Sequence, residues 1–545
     1  MAYPQITEYL EAVQHPAQAF IDPDLKQGAI AENNLGLPLV MSGGFALTYA
    51  VTTPRRKCAV RCFHREIPAI QQKYEAISKK LRSLGKGCFV DFDFQQSGIN
   101  VRQKIFPIVR MDWVEGDTLG VWMDKHFDDR RALEKACADF AAIARFLEEK
   151  GIAHGDIQNG NVMVTNGDIK LIDYDGMFVP GMRPGNGSET GHKHFQHPDR
   201  RASSFGPGMD RFSFIALDLS LKAVIEDKSL FRKFREGGET IIFKANDFAD
   251  PANSEVFRRL LAMPKLKEQA RNFAAICGAP LAAVPTLDEF LAGRNIPAAK
   301  TPITISPSPS PELKPRAAAY IPAYPVVDAL NFPAALQRVG DRVELIGRIV
   351  EVEPGSRKRG KGRAQRYVFL NFGSGRGNIV KISIWSDGLA KLKEQPSKAW
   401  IGRWVSVTGL MDVPYQSKRY GHKHLSITVQ EDGQIQPLDE AEAGFRLASI
   451  APPRDGGLPS TTALSGTPAV APSSAASTKA RSVVSRSQTT ARKPKRAGRR
   501  QSTQAAAAAR RAAQLPTGKS ARRRRWIWVI AAIAILALSI MLLRM

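Results

Sequence analysis

The chain has 545 residues, 43% of them hydrophobic, with a formal net charge of +26. That length accommodates two or three domains, and the apolar fraction is enough for a large core. The five cysteines (58, 62, 88, 137 and 277) include no Cys-x-x-Cys pair, which excludes a cysteine metal cluster and reads as thiols in a reducing cytosol. The charge is uneven. Residues 456–525 hold sixteen Lys or Arg and no acid, and the first 455 residues keep an excess of only +9. The N-terminal residues have neither a basic flank nor an apolar run, so no signal peptide is expected.

In chain order, residues 40–51 read as two strands around a turn containing Gly43 and Gly44. A third strand follows at 58–63, with Arg61 inside it. Residues 67–84 read as a helix, because Ile70, Tyr74, Ile77 and Leu81 recur at helical spacing. A strand over 105–111 runs into the polar stretch Asp112, Trp113, Val114, Glu115, Gly116. A second helix, 131–150, carries Leu133, Cys137, Phe140, Ala144 and Leu147 on one stripe. It leads into His154-Gly155-Asp156-Ile157-Gln158-Asn159-Gly160-Asn161. A short hairpin, 162–164 with 169–172, turns at Asn166-Gly167 and ends at Asp173-Tyr174-Asp175-Gly176. That hairpin brings Asn161 and Asp173 side by side.

These residues and their order resemble the protein-kinase-like superfamily over about residues 35–295, in a divergent bacterial branch related to Ser/Thr kinases. Asp156, Asn161 five positions on and Asp173 twelve further on resemble the kinase catalytic loop and metal-binding turn. The resemblance implies an α+β bilobal fold, ATP and Mg²⁺ as cofactors, and a protein substrate phosphorylated on Ser or Thr. It makes Asp156 the proton acceptor, and Asn161 and Asp173 the metal ligands. It puts Gly43, Gly44 and Arg61 at the phosphates and makes Glu75 the ion-pair partner of Arg61. Adenine would meet backbone groups near Asp112 and Val114. His154 becomes structural support, and Asp210 tethers the catalytic-loop backbone from the start of a buried helix. His197 to Arg200 sits where the activation segment ends.

Three departures are visible. The glycine loop is eroded, with Met41 and Ala46 at two of the three glycine places. Arg61 replaces the usual lysine, and a planar fork is not a point charge. Gly155 stands where many kinases carry an arginine that receives an activation-loop phosphate, so no simple phosphate switch is expected at Ser188 or Thr190.

Seven prolines between 302 and 325 make residues 296–325 a semi-rigid linker. Residues 326–442 read as a separate β domain with strands at 342–352, 367–372, 379–385, 404–409 and 425–429, and a helix-like piece at 388–393. This order resembles an OB-fold barrel. Its loop Arg357, Lys358, Arg359, Lys361, Arg363 and the aromatics Tyr367, Phe369, Trp385 and Tyr415 are candidate contacts for single-stranded nucleic acid. The alternative, that these rings are core and the loops are solvated charge, stays open at this level. Residues 443–525 read as a disordered basic tail that would lie on anionic lipid or nucleic acid. Residues 526–543 lack charge, which predicts a transmembrane helix with the N-terminal domains in the cytoplasm. The expected fold class is therefore multidomain: a bilobal kinase-like domain over 1–295, a small all-β barrel, a disordered linker and one C-terminal membrane helix. Three functions follow: a membrane-tethered ATP- and Mg²⁺-dependent phosphotransferase, a pseudokinase scaffold that binds nucleotide without turnover, or a membrane-bound nucleic-acid sensor.

Overall fold

A computed structural model describes residues 3–32, 36–42, 46–66, 69–85, 87–235, 238–299, 319–357, 365–374, 377–416 and 421–450. All of these lie in one compact unit, Met1–Gly457. The described chain is a mixed α/β fold with several sheets. This corrects the expected fold class. Among the described residues no helix is long and apolar enough to cross a membrane. A span needs about twenty predominantly apolar residues. The longest described helix, Arg130–Lys150, is long enough but carries charge on its open face. The expected anchor over 526–543, the cytoplasmic tether derived from it, and the expected tail 443–525 from 451 onward fall outside the described residues, while the first residues of that tail lie in the helix Glu440–Leu447.

The first sheet is antiparallel and carries the N-terminal lobe. It contains β1 (Val40–Ser42), β2 (Ala46–Thr52), β3 (Lys57–Phe63), β4 (Phe92–Val101) and β5 (Lys104–Asp112), with β3 central between β2 and β5. Alternation in β3 turns Cys58, Val60 and Cys62 to one face, while Arg61 and Phe63 turn to the other. The Cys58 face meets an N-terminal segment that the sequence patterns did not anticipate. There the helix Ile6–Val13 buries Tyr9, whose hydroxyl donates to the Phe63 carbonyl at 2.7 Å. The opposite face meets α1 (Ile70–Leu84), which buries the expected stripe Ile70, Tyr74, Ile77 and Leu81.

The C-terminal lobe is built on α2 (Arg130–Lys150), capped by the Asp129 side chain accepting from the Ala132 amide at 3.1 Å. Against it packs α3 (Arg211–Glu226), which is buried over nearly its whole circumference. Between them in the chain comes the hairpin β6 (Val162–Thr165) and β7 (Asp168–Leu171). Its turn residues Asn166 and Gly167 both have positive φ, +51° and +81°, as the tight Asn-Gly hairpin requires.

The segment 326–442, called the β domain below, has an apolar core cluster of its own. The expected strand 342–352 is two strands, β8 (Arg342–Arg348) and β9 (Glu351–Arg357), which enter different sheets. The break falls at Ile349, whose buried side chain marks the crossing point. Then come β10 (Gln365–Asn371), β11 (Ile379–Trp385), the helix Ser386–Lys391, β12 (Trp404–Leu410) and β13 (Lys423–Val429). The ladder β9-β10-β11-β13 includes a parallel β11–β13 pair, and β8 pairs with β12 antiparallel. Inside the domain Arg446 bonds Glu344 at 2.9 Å, both side chains almost fully buried.

Candidate functional site

The loop after α2 is fixed from below. Ala153 and Phe178 exchange both backbone bonds, at 3.0 and 2.8 Å. The buried carboxylate of Asp210, just before α3, accepts from the His154 and Gly155 amides, the latter at 2.8 Å. Burial pushes the Asp210 carboxyl up to about 6, against the pull of those two amides. His154 is fully buried and bonds the Ile172 carbonyl through Nε2 at 3.0 Å, and burial lowers its pKa. Gly155 has φ +87°, and a Cβ there would stand 2.3 Å from the Gly176 carbonyl oxygen. The backbone alone therefore requires glycine at this position.

Above this base Asn161 Nδ2 donates to Asp156 Oδ2 at 2.7 Å and to the Asp156 carbonyl at 3.1 Å. The Ile172 amide donates to the Asn161 carbonyl at 3.0 Å, so the hairpin delivers Asp173 to the same cleft. Asp173 has φ +68° and a side chain 32% exposed, which leaves it open to solvent. Burial raises the Asp156 carboxyl above its ordinary value, partly offset by the His192 amide.

Arg61 is buried and forks between two carboxylates. One guanidinium nitrogen meets Asp173 Oδ1 at 2.5 Å and the other meets Asp175 Oδ2. Burial opposes the charge, but Asp173 and Asp175 override it and hold the guanidinium above its ordinary pKa. The far oxygen of Asp175 accepts from the Tyr74 hydroxyl, and Lys73 reaches the Asp175 carbonyl. Glu75 does not approach Arg61. It lies one position further round α1, exposed, and accepts from Gln71 at 2.8 Å. Tyr74 and Asp175 thus do what the sequence reading gave to Glu75. Gly43, Gly44 and the loop residues Lys358, Arg359, Lys361 and Arg363 lie outside the described residues, and Arg357 ends β9. At the hinge, the amides of Asp112 and Trp113 already bond Asp91 and Lys57 carbonyls, at 3.0 and 3.2 Å, and Val114 is half-buried.

The segment after the turn folds back over the loop. The His192 amide donates to Asp156 Oδ1 at 2.7 Å. Glu189 is drawn toward the same cleft, where burial and the charges of Asp175, Asp173 and Asp156 push its carboxyl well above the usual range. His197 is buried and bonds the Ile276 carbonyl at 3.1 Å.

Among the described residues no three His, Cys, Asp or Glu side chains form a ready metal cluster. The available donors are the Asp173 carboxylate and the Asn161 amide oxygen, whose NH₂ group is committed to Asp156. Such hard oxygens fit Mg²⁺, which takes few protein ligands and keeps several waters.

On the β domain, Tyr367, Phe369 and Trp385 are absent from the apolar core. They pack on one another on the outer face of β10 and β11, with ring centroids 4.7 to 5.9 Å apart. The Lys381 ammonium sits 3.8 Å from the Phe369 ring centre. Tyr415 is 64% exposed. The alternative that these rings form the core is thereby removed.

No protein-family model matches the chain. A segment of the chain is similar to the serine/threonine-protein kinase PksC of Streptomyces coelicolor (strain ATCC BAA-471 / A3(2) / M145), with 27% identity over 129 residues. The match covers 22% of this chain and 23% of that protein's length. The relationship it supports is distant and kinase-like.

Removing the guanidinium should be severe. Arg61→Ala strands buried Asp175 and is expected to lower unfolding stability by about 3–5 kcal/mol, whereas Lys391→Ala, at an exposed pair, should change it by less than about 1 kcal/mol. Urea unfolding monitored by far-ultraviolet dichroism checks both, and equal losses would contradict the charge network.

Proposed function

We propose that the chain is a phosphotransferase of the protein Ser/Thr kinase type, dependent on ATP and Mg²⁺. The observation that carries this reading is the Asp156–Asn161 pair, held on a loop that Asp210 tethers, with Asp173 delivered by the hairpin. Asp156 would orient the acceptor hydroxyl and take its proton, a role suited to a carboxyl whose pKa burial has raised. Asn161 and Asp173 would hold Mg²⁺, which when bound neutralises triphosphate charge. Arg61 would shift from Asp173 toward phosphate, for which a bidentate fork is suited. We assign residues 1–295 to this activity and 326–442 to a second domain.

The tests use the full chain with radiolabelled ATP and a generic basic protein acceptor. Asp156→Ala should lower transfer by about 10²–10⁴-fold, the range for loss of a general base. Equal rates in wild type and variant would refute the assignment. Arg61 engaged by two carboxylates favours a second reading, a pseudokinase. Under that reading ATP raises the melting temperature with no transfer detectable in wild type, Asp156→Ala or Arg61→Lys.

For the β domain, the outward aromatic face beside Lys381 supports a single-stranded nucleic-acid ligand. Trp385→Ala should weaken binding of a fluorescent oligonucleotide by about 1–3 kcal/mol, on top of a steep salt dependence. No binding to the wild type at low salt would exclude this ligand.

A further inference from the structure

The oxygen of Asp156 that an acceptor hydroxyl would need is taken. Oδ2 is bonded by Asn161, and Oδ1 by the His192 amide. Gly191 lies so close that a Cβ there would stand 2.9 Å from Asp156 Oδ1 and 2.8 Å from the Gly155 carbonyl, at φ +73°. Residues 191–192 therefore rest directly on the loop, where the acceptor would dock.

What holds them there comes from the β domain and the segment just before it. The His192 ring accepts from the His194 amide at Nδ1, 3.3 Å, so Nε2 carries the proton and donates to Glu239 Oε2 at 3.1 Å. The same oxygen of Glu239 accepts from the Tyr324 hydroxyl at 3.2 Å. The other oxygen receives Arg342 of the β domain at 2.5 Å. Tyr324 packs edge-on against the His192 ring, centroids 5.4 Å apart, and the Arg342 guanidinium lies 5.1 Å from the Tyr324 ring centre. Gly238, next to Glu239, accepts from the Asn159 side chain of the catalytic loop, so Glu239 is anchored at both ends. Asp341, adjacent to Arg342, pairs with Arg65 of the N-terminal lobe. Leu410 and Val413 of the β domain pack against the core of that same lobe. Neighbouring side chains of one β-domain turn thus grip both lobes across the cleft.

We propose that the β domain is this chain's own inhibitor: Arg342 and Tyr324 latch Glu239, Glu239 fixes His192, and the His192 amide caps Asp156 until the latch opens. The proposal rests on the phosphotransferase reading for its consequence, but not for its geometry. A Glu239 carboxylate within reach of a guanidinium, a phenol and an imidazole is a strong, desolvated tie whose loss frees the segment it holds. The Arg65–Asp341 pair adds a strap that resists movement of one lobe against the other.

The test compares full-length wild type with Arg342→Ala and Tyr324→Phe/Arg342→Ala, using amide hydrogen exchange and ATP-dependent phosphotransfer. Exchange at the amides of 189–193 should speed up at least about tenfold, while Arg130–Lys150 keeps its protection as the folding control. Transfer to a basic protein acceptor should rise several-fold. Unchanged exchange at 189–193 overturns the latch whatever the activity. Faster exchange with reduced transfer overturns inhibition and makes the segment a positioning element. Faster exchange with wild type and every variant silent supports the latch and overturns the phosphotransferase reading instead.

Discussion

Carboxyl groups crowd one cleft in this protein, and a single guanidinium holds much of that cleft together. Asp156, Asp173, Asp175 and Glu189 interact through their charges, and Asp210 lies beneath the loop that bears the first of them. Like charges out of water repel strongly unless a cation or a proton intervenes. Here both devices operate. Arg61 binds two of the carboxylates, and burial pushes Asp156, Asp210 and Glu189 toward the protonated form. A lysine would place its charge at one compact point, with no fixed plane to set two partners apart. The planar fork can engage Asp173 and Asp175 together, which gives a physical reason for arginine in β3.

This charge balance also separates a resting cleft from a working one. Asp173 cannot serve a metal fully while its oxygen is held by Arg61, and Arg61 cannot meet phosphate while it is held by Asp173. An incoming Mg²⁺–triphosphate would resolve both at once, because it carries a cation for the carboxylate and anions for the guanidinium. The Asp175 pair would persist through that exchange, anchored by Tyr74 from α1. In such an exchange the arginine would keep one partner and release the other.

Sequence patterns expressed the local parts of this arrangement well. The buried stripe of α1, the Asn-Gly hairpin, and the spacing from Asp156 to Asn161 depend on neighbours within a few residues, and periodicity or turn chemistry records such neighbours directly. Partnerships across the chain left no comparable mark. Glu75 and Tyr74 are adjacent in sequence, and only the rotation of α1 against β3 decides which one faces Arg61. Asp175 read as part of a turn because its partner lies 114 residues away. The strand 342–352 read as continuous because both halves are β-prone, and only their entry into two different sheets splits it at Ile349. Nothing in the spacing of His192, Glu239 and Arg342 links them. The apolar run at 526–543 lies outside the described residues, and among those no helix is long and apolar enough to cross a membrane.

The β domain's placement follows from the same electrostatic economy. Glu239 lies half-buried between segments, and desolvation alone would favour its neutral form. Arg342 and His192 instead hold it ionised, far below the ordinary carboxylate range. The kinase-like part supplies His192 and the carboxylate, while the cation comes from β8 and the phenol from the connection before the β domain. Without the β domain, Glu239 would lose its strongest partner and would have to rehydrate or take a proton, and His192 would lose a fixed acceptor. The segment over Asp156 is thus tied, through His192 and Glu239, to the seating of the β domain.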